Sequence, residues 1–165
     1  MNVLLGEGWM PPLVAAVAAV LVAVAGAVLT TIDPWYRALR VPAWKPPDWA
    51  FGPVWTVIFS LTATSAVLAW NGDADSGSRA AVLAAFALNG VLNIAWSLLF
   101  FRMRRPDWAL VEIVFLWLSI VLLIGVAGRV STTAGLLNLP YLAWVSVAGF
   151  LNFRIVRLNP RLREA

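Results

Sequence analysis

Cysteine and histidine are absent from the 165-residue chain, and charged residues are scarce at 12%. The two missing residue types exclude disulfides, thiol nucleophiles, His-based catalytic triads, zinc sites, and haem held by imidazole or thiolate. Soluble domains carry roughly a quarter charged residues. The scarcity here, with 62% apolar residues and a mean hydropathy of +0.85, excludes an ordinary soluble domain, a disordered chain and a coiled coil. A soluble core of this size could not hide so much apolar surface from water. The implied solvent is a bilayer. The net charge of +4 sits in short clusters between apolar runs, not in a stripe along a polar face, so nucleic acid is not an expected partner. What the chain has in excess is tryptophan, ten residues in all.

A transmembrane helix needs about 20 mostly apolar residues. Five such runs occur, at about 11–32, 49–70, 79–101, 106–127 and 132–158. The first has no basic residue before it and no convincing cleavage site, so it reads as a retained membrane helix. Asp33-Pro34 should end it, because the residue before proline is pushed out of the helical region. Residues 33–48 hold prolines at 34, 42, 46 and 47, a density that argues against any helix there. Pro53 is expected in the first turn of the second helix, Gly128-Arg129 should end the fourth, and Pro140 should kink the fifth. The fold class expected is an all-α, five-transmembrane-helix bundle in a single domain, 1–165.

Lysine and arginine divide unevenly among the connections. The first and third loops and the C-terminal end carry ten; the second and fourth loops carry two; the N-terminus carries none. The asymmetry predicts an outside N-terminus, with loops 1 and 3 and the C-terminus in the cytoplasm. Without a cleavable signal, a bacterial inner membrane is the expected location. No internal repeat is visible, which argues against an inverted-repeat transporter.

Polar groups within the runs are few and costly there. Glu112 reads either as a hydrogen-bonded structural acid or as a proton or ligand partner. Asn89, Asn93, Trp96 and Phe100 share one face of the third helix. Phe51, Trp55, Phe59 and Thr62 make a second stripe, and Tyr141, Trp144, Ala148 and Asn152 a third. Such stripes serve packing more often than ligands. An interfacial belt accounts for Trp9, Trp35, Trp49, Trp70 and Trp108, which lie near run ends. It accounts less well for Trp55, Trp96, Trp117 and Trp144, each more than a turn inside. Flat aromatic faces with a few amides suit a flat, apolar ligand such as a macrocycle, sterol or quinone. Ala15, Ala19, Ala23 and Ala27 on the first helix, with Ala80/Ala84 and Ala81/Ala85 on the third, allow close helix contact within or between protomers.

Five stretches, in order, carry a resemblance. They are Trp35-Tyr36 followed by Pro42-Ala43-Trp44-Lys45-Pro46-Pro47-Asp48-Trp49; Phe51-Gly52-Pro53-Val54-Trp55-Thr56; Asn93-Ile94-Ala95-Trp96 leading to Phe100-Phe101; Trp108-Ala109-Leu110-Val111-Glu112; and Pro140-Tyr141-Leu142-Ala143-Trp144 leading to Leu151-Asn152-Phe153. Together they resemble the translocator protein / tryptophan-rich sensory protein family over about residues 10–160. The resemblance implies a five-helix bundle, commonly a homodimer, with a ligand pocket beneath the first loop acting as a lid. It implies porphyrin ligands, above all protoporphyrin IX, and no cofactor. Trp55 and Trp144 map onto the pocket tryptophans, Asn93 and Trp96 onto a third-helix wall, and Trp44 and Phe51 onto the lid side. Asn89, Glu112 and Tyr141 join this candidate set from the residue patterns. Arg37, Arg40 and Lys45 are placed to meet ligand carboxylates through charge-assisted hydrogen bonds. The family's sterol motif is incomplete, since Phe153 stands where it has tyrosine. Three functions follow: a porphyrin-binding sensor or carrier; a light- and oxygen-dependent porphyrin-degrading enzyme using Trp55 and Trp144; and a proton-coupled exporter using Glu112.

Overall fold

The computed structural model describes residues 9–72 and 75–160. Its long helices are α1 (Met10–Leu29), α3 (Asp48–Asn71), α4 (Ser76–Ser97, continued by a π turn, Leu98–Arg102), α5 (Pro106–Val130) and α7 (Leu139–Leu158). Two five-residue helices, α2 (Pro34–Ala38) and α6 (Thr132–Leu136), connect them. Five segments are long and apolar enough to cross a membrane: Met10–Leu29, Asp48–Asn71, Ser76–Arg102, Pro106–Val130 and Thr132–Leu158. No strand occurs among the described residues. The expected five-helix bundle is what the chain forms.

Local chemistry explains most helix starts. Proline stands in the first turn of α1, α2, α5 and α7, where its missing N–H costs no intrahelical bond. The Asp75 and Asp33 carboxylates accept from the N–H groups of Ser78 (2.8 Å) and Tyr36 (2.9 Å), capping α4 and α2.

Four local expectations need correction. A helix does form within 33–48: Pro34 opens α2 and Asp33 caps it, so proline here starts structure after ending α1. Pro53 lies in the second turn of α3, not the first, and removes one N–H from the ladder. Gly128-Arg129 does not end the fourth helix, which runs on to Val130. Pro140 does not kink a continuous fifth helix; the chain breaks before it, at Leu137-Asn138, and Pro140 falls in the first turn of α7. Asn138 fixes that break. Its buried amide donates to Ser65 Oγ (2.7 Å) and to the Ala134 carbonyl (3.0 Å), and Ser65 Oγ donates to the same carbonyl (2.7 Å).

The bundle is built around α5. Its buried residues, from Pro106 to Ala127, pack against α4, α6 and α7. Asn152 of α7 clips its start: with the amide oriented to satisfy both groups, it donates to the Pro106 carbonyl (3.0 Å) and accepts from the Leu110 N–H (3.1 Å). α1 is peripheral. It buries no residue, leans on α3 and α4, and turns Leu21 and Val28 outward. It approaches α4 closely at Gly90, where an added Cβ would stand 3.2 Å from Val22.

The two ends of the bundle differ. At one end Arg104 pairs with Asp33 (2.8 Å), Tyr36 meets Phe101, and the Asn159 side chain bonds both backbone groups of Arg40. Loop 1, loop 3 and the end of α7 therefore meet there. At the other end Gly72 abuts Val130, joining the end of α3 to that of α5.

Candidate functional site

A cavity of about 750 Å³ lies between α1 and the α3–α4–α5–α7 core, reaching up to α2. Its α1 wall is mostly small residues, Ala16, Ala19, Ala23, Gly26 and Ala27, with Val20 and Val22 beside them. Facing them are the aromatic rings of Phe51, Trp55 and Phe59 from α3, and Trp96 and Phe101 from the α4 segment. Trp55 stacks on Phe59 at 5.2 Å and meets Tyr141 edge-on at 5.8 Å. Trp96 stacks on Phe100 at 5.1 Å and meets Phe101 edge-on at 6.0 Å. The π turn carries this Phe100-Phe101 pair, and such turns often mark functional sites. The rings brace one another, so the aromatic wall is largely pre-formed.

The polar groups are few. Asn93 lines the cavity, and its Nδ2 donates to the buried Tyr141 hydroxyl at 2.9 Å. Thr56 and Ser60 return their hydroxyls to the α3 backbone at 3.0 and 2.8 Å. The Trp96 indole N–H is buried without a partner among the described residues. At the loop end, Tyr36 and Asp48 complete the lining. Tyr36 donates its hydroxyl proton to Asp48 Oδ1 (3.1 Å), and the Lys45 ammonium donates to the same oxygen while lying 5.5 Å above the Tyr36 ring. Burial pushes the Tyr36 phenol above the usual tyrosine range. Burial also disfavours the Lys45 ammonium, but its bonds to Asp48 and Tyr36 outweigh that and hold it above its ordinary value.

The structure brings Phe51, Trp55, Asn93 and Trp96 of the candidate set together on this cavity. The others sit elsewhere. Asn89 donates to Ser119 Oγ (2.9 Å) inside the α4–α5 seam. Tyr141 is behind Trp55 and Asn93 and does not reach the lining. Trp144 meets Phe51 edge-on at 5.5 Å but faces a shallow outer groove between Pro53 and Pro140. Trp44 stacks on Phe150 of α7 at 5.4 Å. Glu112, only 8% exposed, has no partner for either oxygen among the described residues; it precedes the cavity-lining Ile113. Arg37 and Arg40 are exposed, and Lys45 does not itself line the cavity but touches Asp48 and Tyr36, which do.

Several lining residues escape the sequence reading: Tyr36, Asp48, Phe59 and Phe101, and the α1 ladder as a cavity wall. Phe59 and the alanines are visible as stripes in the sequence, yet stripe spacing does not say which stripe borders empty space. Among the described residues no cluster of three or more His, Cys, Asp or Glu is placed to hold a metal ion.

The chain is similar over most of its length to known proteins. The Tryptophan-rich protein TspO of Chlorobaculum tepidum is 46% identical over 128 residues, covering 76% of this chain and 80% of its own. The protein of that name from Archaeoglobus fulgidus is 39% identical over 150 residues, covering 89% and 96%. The bovine Translocator protein is 34% identical over 126 residues, covering 76% and 75%. The TspO/MBR family model matches residues 13–158, from the first turn of α1 to the last residue of α7, and the chain belongs to that family.

Proposed function

We propose that the protein binds protoporphyrin IX, or a similarly flat apolar macrocycle, in the α1-walled cavity, and acts in its membrane as a sensor or carrier in tetrapyrrole handling. One observation carries the reading. A cavity of about 750 Å³, within the size range of small-molecule sites, has aromatic faces on one wall and small aliphatic residues on the other. A planar ligand can stack on Trp55 or Trp96 with its opposite face on α1. Asn93 and the unpartnered Trp96 N–H supply edge-on polar contacts with modest rearrangement.

The test is a titration of the purified protein in detergent with protoporphyrin IX in darkness, followed by tryptophan quenching and the Soret band. Trp96→Ala should weaken binding about tenfold, since stacking on an aromatic face is worth on the order of 1 kcal/mol or more. Trp49→Ala should change nothing, because Trp49 is 77% exposed on the outer face of α3. Equal affinity in all three proteins would sink the cavity as the site.

A further inference from the structure

Among the described residues the cavity lining contains one ionised side chain, and it is an acid. Asp48 lines the loop end beside Tyr36; no lysine or arginine lines the cavity at all. The nearest cation, Lys45, is engaged. Its ammonium donates to Asp48 Oδ1 and lies over the Tyr36 ring, and its side chain is 14% exposed against 42% for Asp48. The Tyr36 hydroxyl, the neighbouring strong donor, also points at Asp48 Oδ1. Arg37 adds its positive field at Asp48 from the outside of α2. Arg40 is held by its backbone to Asn159, with its side chain exposed. Both donors that an acidic ligand would need are therefore turned toward an acid of the protein's own.

A ligand carboxylate arriving at this end meets Asp48 before it meets an unpaired cation. It must share or take over Lys45, and two carboxylates around one ammonium repel each other. A neutral ligand edge has no such conflict and leaves the cluster intact. We propose that Asp48 is a specificity-determining residue of the cavity. By occupying Lys45 and Tyr36 it selects for flat ligands with neutral or esterified edges, and it admits a carboxylate only in exchange for itself. The inference rests on the cavity being the porphyrin site and adds what that site selects.

Two probes share one macrocycle: protoporphyrin IX, a dicarboxylate, and its dimethyl ester. Their dissociation constants are compared for the wild type, Asp48→Asn and Lys45→Gln in the same detergent. Asp48→Asn should tighten the diacid by about threefold to fivefold, the scale of one partly exposed charge interaction, and leave the ester unchanged. Lys45→Gln should weaken the diacid by a similar factor and again spare the ester, whose binding also reports that each variant is folded. If both probes bind but their ratio is the same in all three proteins, the role of Asp48 is overturned and the porphyrin site stands. If neither probe binds any of the three, the porphyrin reading falls, and the specificity role with it.

Discussion

Asn93 joins the cavity to the core through one amide. It lines the cavity, yet its Nδ2 is committed to Tyr141, a side chain 1% exposed behind Trp55. Removing the phenolic oxygen leaves a buried donor unsatisfied, while removing both groups leaves neither. Within membranes such bonds are worth about 0.6 kcal/mol on average. Tyr141→Phe and Asn93→Ala should each lower stability, by about 0.5–2 kcal/mol, in reversible unfolding by SDS in mixed micelles. The double variant should lose less than the sum, by about 0.6 kcal/mol. Strict additivity would show that the bond contributes nothing. The same scale explains which site residues the sequence makes legible. Helical spacing correctly sets Asn89, Asn93 and Trp96 on one side of α4, and the structure gives each a different neighbour. On α7 the cavity is lined by Val145 and Ala148. Trp144 is one residue from Val145, about 100° around the helix, and that rotation turns it to the outer groove. Spacing along one helix fixes relative phase; only the neighbouring helices fix which phase faces the cavity.

At the scale of the element, proline and glycine are readable only in company. The five long helices follow from apolar length, and the sequence bounds agree with the observed ones within a few residues. The break in the last span depends on Asn138 reaching Ser65, 73 positions away, and no local pattern announces such a contact. Likewise Asp33-Pro34 is legible as the end of α1, and becomes the start of α2 because the Asp33 carboxylate turns back on the Tyr36 N–H. Glycine shows the same dependence on context. A Cβ at Gly135 would stand 2.9 Å from the Gly128 Cα and 3.0 Å from the Ile124 carbonyl oxygen, so α6 folds this closely against α5 because Gly135 carries no side chain. Gly125, three residues earlier than Gly128 on α5, has open space. Gly135→Ala should therefore cost about 1–3 kcal/mol by overpacking against backbone. Gly125→Ala should be neutral or stabilising, by up to about 1 kcal/mol, because alanine is the better helix former. Thermal denaturation of both variants in one detergent checks this, and a similar loss in both would remove the close-approach argument.

For the molecule as a whole, the charge asymmetry of the sequence becomes a property of one end. Asp33–Arg104, Tyr36–Phe101 and Arg40–Asn159 tie loop 1, loop 3 and the end of α7 together. Arg37, Arg40, Lys45, Arg102, Arg104, Arg105, Arg154 and Arg157 therefore gather toward a single end of the bundle. Arg161 and Arg163 lie outside the described residues. Arg79 and Arg129 belong to the second and fourth connections, at the other end. Cytoplasmic ends carry the excess of lysine and arginine, which predicts the basic face on the cytoplasmic side and the N-terminus opposite. The cavity's polar corner, Tyr36 and Asp48, is at this basic end. Because the chain has no cysteine, single cysteines report the topology without background. Ser76→Cys, exposed at the start of α4, should react with a membrane-impermeant maleimide added to intact cells. Met103→Cys, 54% exposed beside the basic cluster, should react only after the membrane is opened. The reverse pattern would invert the molecule and place the acid-lined mouth of the cavity on the outer side.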